Sequence, residues 1–185
     1  VEGGEALYAV DEGMLASLRP DIIITQDLCR VCAVADGDFA SVGARVISLG
    51  PRTLGEVAAS VRYLGRELGA AVRGEFWADE MLRRIDRVRL AVAGRTRPRV
   101  FLAEWMDPPF ASGHWIPEMV EAAGGLEVLG RAGERSVRTT WETVRAARPE
   151  LVIAAPCGFD EERAAREAAL IDPGCPVVAV DADRF

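Results

Sequence analysis

With 185 residues, half of them hydrophobic, the chain has material for one packed domain or two small ones. Its net charge is −7, all 22 basic residues are arginine and none forms a basic run, which argues against a nucleic-acid partner. No apolar stretch approaches the ~20 residues that cross a bilayer, and four cysteines are too few for a disulfide scaffold in a chain this long. The chain opens at Val1 without a basic-then-apolar signal segment, so an N-terminal piece is expected to have been removed or left out.

One pattern is written twice. Residues 11–29 read DEGMLASLRPDIIITQDLC and residues 140–157 read TWETVRAARPELVIAAPC. Each predicts a short helix, then Arg-Pro-acid, then a buried strand, then a loop with a cysteine. Proline cannot continue a helix and restricts the residue before it, so Arg19-Pro20 and Arg148-Pro149 separate helix from strand. The runs Ile22–Ile24 and Leu151–Ile153 lack polar alternation, as expected of parallel strands covered on both faces. Two such copies suggest two lobes facing each other across a ligand cleft, and a binding protein before an enzyme.

In chain order, Asp11 is the expected cap of a helix to Leu18, followed by a strand at 21–25, a loop at 26–34 and a strand at 45–49. After the turn Gly50-Pro51-Arg52, Thr53 and Glu56 have the spacing of a capping box, opening a helix with Leu54, Val57, Val61, Leu64 and Leu68 on one face and Gly69 at its end. Residues 75–93 predict a long helix with a narrow stripe of Phe76, Met81, Ile85, Val88 and Val92, which can bridge two lobes. Gly94–Pro98 breaks it. A strand at 99–104, a loop rich in aromatics at 105–115, a helix at 117–123 with Pro117 first, the second copy, a helix at 160–170 and a strand at 177–180 complete the walk. The chain stops at Phe185, just past that strand, and a C-terminal continuation is expected. The fold class is α/β: two lobes with mainly parallel sheets facing a cleft, joined by one long helix and truncated at both ends. The boundaries are 1–74, 75–93 and 94–185.

Ligands of open parallel sheets lie outside the carboxyl ends of the strands. That rule selects the loops 26–34, 50–52, 105–115, 156–160 and 181–185, with Trp105, Phe110, Trp115, Phe159 and Phe185 as their aromatics. Aromatic rings in loops need something to cover.

The stretch PRVFLAEWMDPPFASGHWIPEMVEAAGG, the twice-used RP[DE] strand and the long helix resemble the cobalamin-binding branch of the substrate-binding proteins of ABC importers, the class that also includes iron-siderophore and haem binders. The resemblance covers almost the whole chain, and residues 98–125 are its most specific part. It implies capture of a corrinoid or metal chelate between the lobes, no resident cofactor, cobalamin as the transported ligand, a monomer outside the cytoplasm and delivery to a membrane permease. A glutamate on each lobe is implied to dock onto the permease. Glu142 matches in the second lobe, whereas Gly13 stands at the matching first-lobe position with Glu12 beside it.

The candidate ligand contacts are Gln26, Asp27, Cys29, Arg52, Trp105, Phe110, His114, Trp115, Cys157, Phe159, Asp183 and Phe185. Cys29 and Cys32 are a disulfide, a redox pair, two metal ligands or plain buried thiols, and a closed cleft would add Cys157 and His114 to a metal set. Cys175 reads as structural. His114, the one histidine, is either a surface polar group or, as a neutral imidazole, an axial ligand or hydrogen-bond partner of the cargo. Trp77 and Trp141 read as packing, and Glu12 and Glu142 also have a simpler role offsetting helix dipoles. Anionic siderophores would need cleft arginines, of which Arg52 and Arg184 are the clear candidates. An enzyme would have to rest on metal at Cys29, Cys32 and Cys157 or on Asp27, Asp107 and Asp160.

Overall fold

Arg19 and Arg148, the residues before the two dividing prolines, both take the left-handed backbone conformation, with φ of 45° and 49°. This is the usual way to end a helix, although glycine normally fills the position. The following prolines disfavour further right-handed helix there. Each arginine N–H folds back onto its helix, Arg19 to the Ala16 carbonyl (3.3 Å) and Arg148 to the Arg145 carbonyl (3.0 Å). The copies also start alike. Asp11 accepts from Met14 N–H (2.9 Å) to cap α1 (Glu12–Leu18), and Thr140 accepts from Thr143 N–H (3.2 Å) to cap α5 (Trp141–Ala146). Strands β1 (Ile22–Gln26) and β7 (Leu151–Ala154) follow.

The computed structural model describes residues 10–28, 39 and 43–184. The chain divides into units Val1–Pro51 and Arg52–Phe185. In the first unit, β1 pairs in parallel with β2 (Arg45–Leu49), from Ile22 opposite Arg45 to Gln26 opposite Leu49. Ile23 is buried but Ile24 is 47% exposed, so this run is not covered on both faces. Among the described residues β1 has one strand neighbour, whereas β7 has two.

The second unit opens with a helical hairpin, α2 (Leu54–Glu67) and α3 (Ala71–Val92). Thr53 caps α2 as expected, while Glu56 reaches one residue further back, to Arg52 N–H (2.6 Å). The helices meet at Gly65 and Gly74. A Cβ on Gly65 would lie 2.7 Å from the Gly74 Cα, so backbone packs directly on backbone. Arg62 spans the pair with bonds to Glu75 (2.8 Å) and Asp79 (2.5 Å). This packing lets α3 begin four residues earlier than expected and run through Gly74, a length of about 33 Å at 1.5 Å per residue. On the expected stripe, Met81, Ile85 and Val92 are half-buried, but Phe76 and Val88 are 54% and 45% exposed, because Gly74 and Ala78 take the contact face.

The sheet of this unit has six strands in the order β6 (Val137–Arg138), β4 (Pro109–Ala111), β3 (Arg99–Met106), β7 and β8 (Val177–Ala179), with β5 (Leu126–Glu127) also on β3. Central β3 (Arg99–Met106) lies parallel to β7, which lies parallel to β8 (Val177–Ala179). Alternation along β3 sends Phe101 and Ala103 to a core with Val144 and Val152, and Val100 and Leu102 to a core with Val120 and Ala155 on the other face. Trp141 confirms its packing role: its indole stands edge-on to Phe101 and donates to the Met106 carbonyl (3.2 Å).

The expected loop 105–115 is partly a hairpin. β3 continues to Met106, and the chain turns at Asp107-Pro108 and returns as β4 (Pro109–Ala111), antiparallel to β3. β4 in turn pairs with β6 (Val137–Arg138), and β5 (Leu126–Glu127) lies parallel to the start of β3. α4 spans Ile116–Ala122, making Pro117 its second residue, and α6 spans Glu161–Ala168 with Asp160 as its cap.

Candidate functional site

Backbone bonds stitch the strand ends of the second unit together. Ala155 N–H donates to the Ala103 carbonyl (3.1 Å), Cys157 N–H to that of Glu104 (3.4 Å), Val180 N–H to that of Ala154 (2.9 Å) and Ala182 N–H to that of Phe159 (3.2 Å). The loops after β3, β7 and β8 are thereby fixed side by side. Trp105 and Phe159 meet edge-to-face, 5.3 Å between centroids at 70°, and the Arg163 guanidinium lies over the Phe159 ring at 3.6 Å. Phe110 faces Trp105 across the β3–β4 hairpin, where opposed residues share a face of the sheet. Phe159 is buried, so it backs the cluster, while Trp105 and Phe110 are half-buried and present aromatic surface.

His114 and Trp115 occupy the turn from β4 into α4, with ring centroids 6.2 Å apart. His114 has φ of 50° and is gripped through its backbone: its N–H donates to the Glu134 carbonyl (2.6 Å), and its carbonyl accepts from Gly133 N–H (2.9 Å). Burial, with the charges of Arg135 and Arg52, holds the imidazole below its ordinary value, favouring the neutral ring. Behind it, Glu104 accepts from Gly113 N–H (2.9 Å) and from the Ser136 hydroxyl. Burial pushes the Glu104 carboxyl up, against the opposing pull of those two donors.

The remaining expected contacts are distributed as follows. Gln26 and Asp27 stand exposed at the carboxyl end of β1, in the first unit. Arg52 is exposed just ahead of α2. Cys157 is an exposed free thiol in the loop after β7, and Asp183 lies in a short 3₁₀ turn, Ala182–Arg184. Cys29, Cys32 and Phe185 fall outside the described residues, and no group of three metal-capable side chains occurs among the described residues. Glu12 and Glu142 are exposed in the first turns of α1 and α5. Hydrogen bonds from its own backbone N–H and from Thr140, with the nearby Arg145 charge, hold the Glu142 carboxyl below its ordinary value. No helix among the described residues is long and apolar enough to cross a membrane.

Sequence reasoning missed Glu104, Ser136 and Arg163. A signal for Glu104 was present: it is the one charged residue inside the apolar strand VFLAEWM. Arg163 carries none, because its partner Phe159 is fixed by the turn into α6.

No protein-family model matches the sequence, and no curated protein matches it. Solved structures do share its fold. An ABC transporter substrate-binding protein from Listeria monocytogenes EGD-e superposes with a TM-score of 0.77 at 16% identity, over 95% of this chain and 72% of that one. The periplasmic vitamin B12 binding protein BtuF of Vibrio cholerae gives 0.63 at 20% identity, over 95% and 70%. A periplasmic haem-binding protein from Pseudomonas aeruginosa gives 0.72 at 20% identity, over 95% and 68%. The chain therefore has the α/β fold of this class of substrate-binding proteins, as its sequence suggested.

Proposed function

We propose that this chain captures cobalamin or a related corrinoid for an ABC importer, and that it does so without catalysing a reaction. The observation that carries this reading is the aromatic surface of Trp105 and Phe110, backed by Phe159, at the strand ends of a fold shared with a vitamin B12 binder and a haem binder. Flat rings held half-buried suit the face of a macrocycle, and the neutral His114 imidazole suits one of its amides or its metal. The exposed Arg52 side chain is assigned to the periphery of the ligand. Glu12 and Glu142 are assigned to docking on a membrane permease, outside the cytoplasm.

Haem is the second reading, supported by the same neutral imidazole. Equilibrium dialysis against cobalamin and against haemin, read by absorbance, separates the two. Saturable one-to-one cobalamin binding that weakens in Trp105→Ala is the expected result. Binding of haemin alone, lost in His114→Ala, would replace the corrinoid assignment. A metal-dependent enzyme of similar fold would instead show tightly bound iron with a visible charge-transfer band.

A further inference from the structure

We infer that Glu104 is the positioning residue of this site, setting the loop that presents His114 and Trp115 and the hairpin that presents Trp105. The inference rests on the binding role proposed above. Pairing along the β3–β4 hairpin goes from Ala103 opposite Ala111 to Trp105 opposite Phe110, so Glu104 is the extra residue of a β-bulge. Bulges bend a strand and re-aim its side chains, and they recur beside functional sites. Here the bulge brings Trp105 opposite Phe110 and sends the Glu104 carboxylate beneath the next loop.

There the carboxylate joins two segments distant in sequence. One oxygen accepts from Gly113 N–H (2.9 Å) and the other from the Ser136 hydroxyl. The segments are already in close register, because His114 exchanges backbone bonds with Gly133 (2.9 Å) and Glu134 (2.6 Å). Nothing larger than hydrogen fits between them at Gly113, where a Cβ would lie 2.6 Å from both the Arg135 carbonyl carbon and the Glu134 oxygen and would also strike Ser136 N. His114 is held at φ of 50°, a conformation a non-glycine residue keeps only when its surroundings enforce it. Glu104 is the side chain that ties this junction to the central strand.

The test uses the whole chain and its single histidine, whose ring signals are unambiguous by NMR. Glu104→Gln keeps an acceptor for Gly113 N–H and an amide facing Ser136, whereas Glu104→Leu removes both. In Glu104→Gln the His114 ring and amide signals should stay near the wild type, with cobalamin affinity changed by less than about threefold. In Glu104→Leu they should shift, the His114 midpoint should rise toward the ordinary 6.5, and affinity should fall by about tenfold or more. Ser136→Ala should move the same signals in the same direction by less, and it decides the matter if Glu104→Leu fails to fold. A folded Glu104→Leu, or failing that Ser136→Ala, with His114 signals unmoved overturns the inference, whatever its affinity. A wild-type chain that binds no cobalamin counts against the corrinoid reading alone, and the NMR comparison then decides the role of Glu104.

Discussion

Replacing Glu127 with alanine should destabilise the second unit well beyond what its half-buried position in a two-residue strand suggests. Its carboxylate accepts from four backbone N–H groups. One oxygen takes Val128 (3.1 Å), Leu129 (3.2 Å) and Gly130 (3.0 Å), and the other takes Leu102 (3.1 Å) in the central strand. Val128 N–H also reaches the Val100 carbonyl (2.9 Å), so the loss falls on the other three donors. A net loss near 1 kcal/mol for each, reduced where water enters the half-buried site, gives about 2–3 kcal/mol for Glu127→Ala. Glu127→Gln keeps one oxygen for the three clustered donors and turns its amide toward Leu102 N–H, costing about 1 kcal/mol. Urea unfolding at pH 7, followed by tryptophan fluorescence, measures both. The sign of the pH dependence is also fixed. Burial raises the folded-state carboxyl above its ordinary 4.5 despite the four donors. The native state therefore binds more protons than the unfolded state between those two values, and stability from this group increases as pH falls through that window. Glu127→Gln lacks that gain, so its deficit against the wild type should widen on acidification. An alanine variant within about 0.5 kcal/mol of the wild type would refute the reasoning, since that is the range of an ordinary surface change.

Two further outcomes follow from the same loops. The His114 ring, held low by burial and by Arg135 and Arg52, should titrate in NMR below 6.5. Because its folded-state value is depressed, the stability this group contributes is present above 6.5 and lost as pH falls through the folded value, and a midpoint at or above 6.5 contradicts the burial argument. Gly113→Ala forces backbone apart and should cost about 2–3 kcal/mol by urea unfolding, whereas Gly133→Ala, with φ of 77° but open space around it, should cost about 1 kcal/mol; equal costs would show that the close approach at Gly113 is not what matters.

Local rules made much of this fold legible. The expected caps Asp11 and Thr53 both hold an N–H group at the start of their helices, and β2 occupies its expected residues. The Arg-Pro pairs mark the helix-to-strand transitions in both copies. What was not legible depends on contacts across the fold. The start of α3 turns on Gly74 meeting Gly65, and that meeting also leaves Phe76 and Val88 exposed. β5 and β6, two residues each, are too short to show alternation. In the site, the aromatic loop was visible but its internal order was not. Burial in the folded chain separates presented Trp105 from backing Phe159, and the bulge that redirects Glu104 has no pattern in one strand read alone.

The polar groups of the site are largely engaged in holding the site itself. The Trp105 indole N–H donates to the Asp107 carbonyl (3.1 Å), Glu104 serves Gly113 and Ser136, and both backbone groups of His114 are occupied. The Arg163 guanidinium lies over Phe159. The hydrogen-bonded groups cost less to bury under a ligand, because they enter the complex with those bonds already made. Among the described residues, this face offers a partner aromatic surface, the His114 ring, the Cys157 thiol and the exposed Arg52 and Arg135 beside His114. A broad, flat ligand with apolar faces gains from each ring it covers. That gain supports capture of a macrocycle, and it singles out Trp105, whose N–H is tied down while its face stays half-buried, as the side chain on which affinity should depend most.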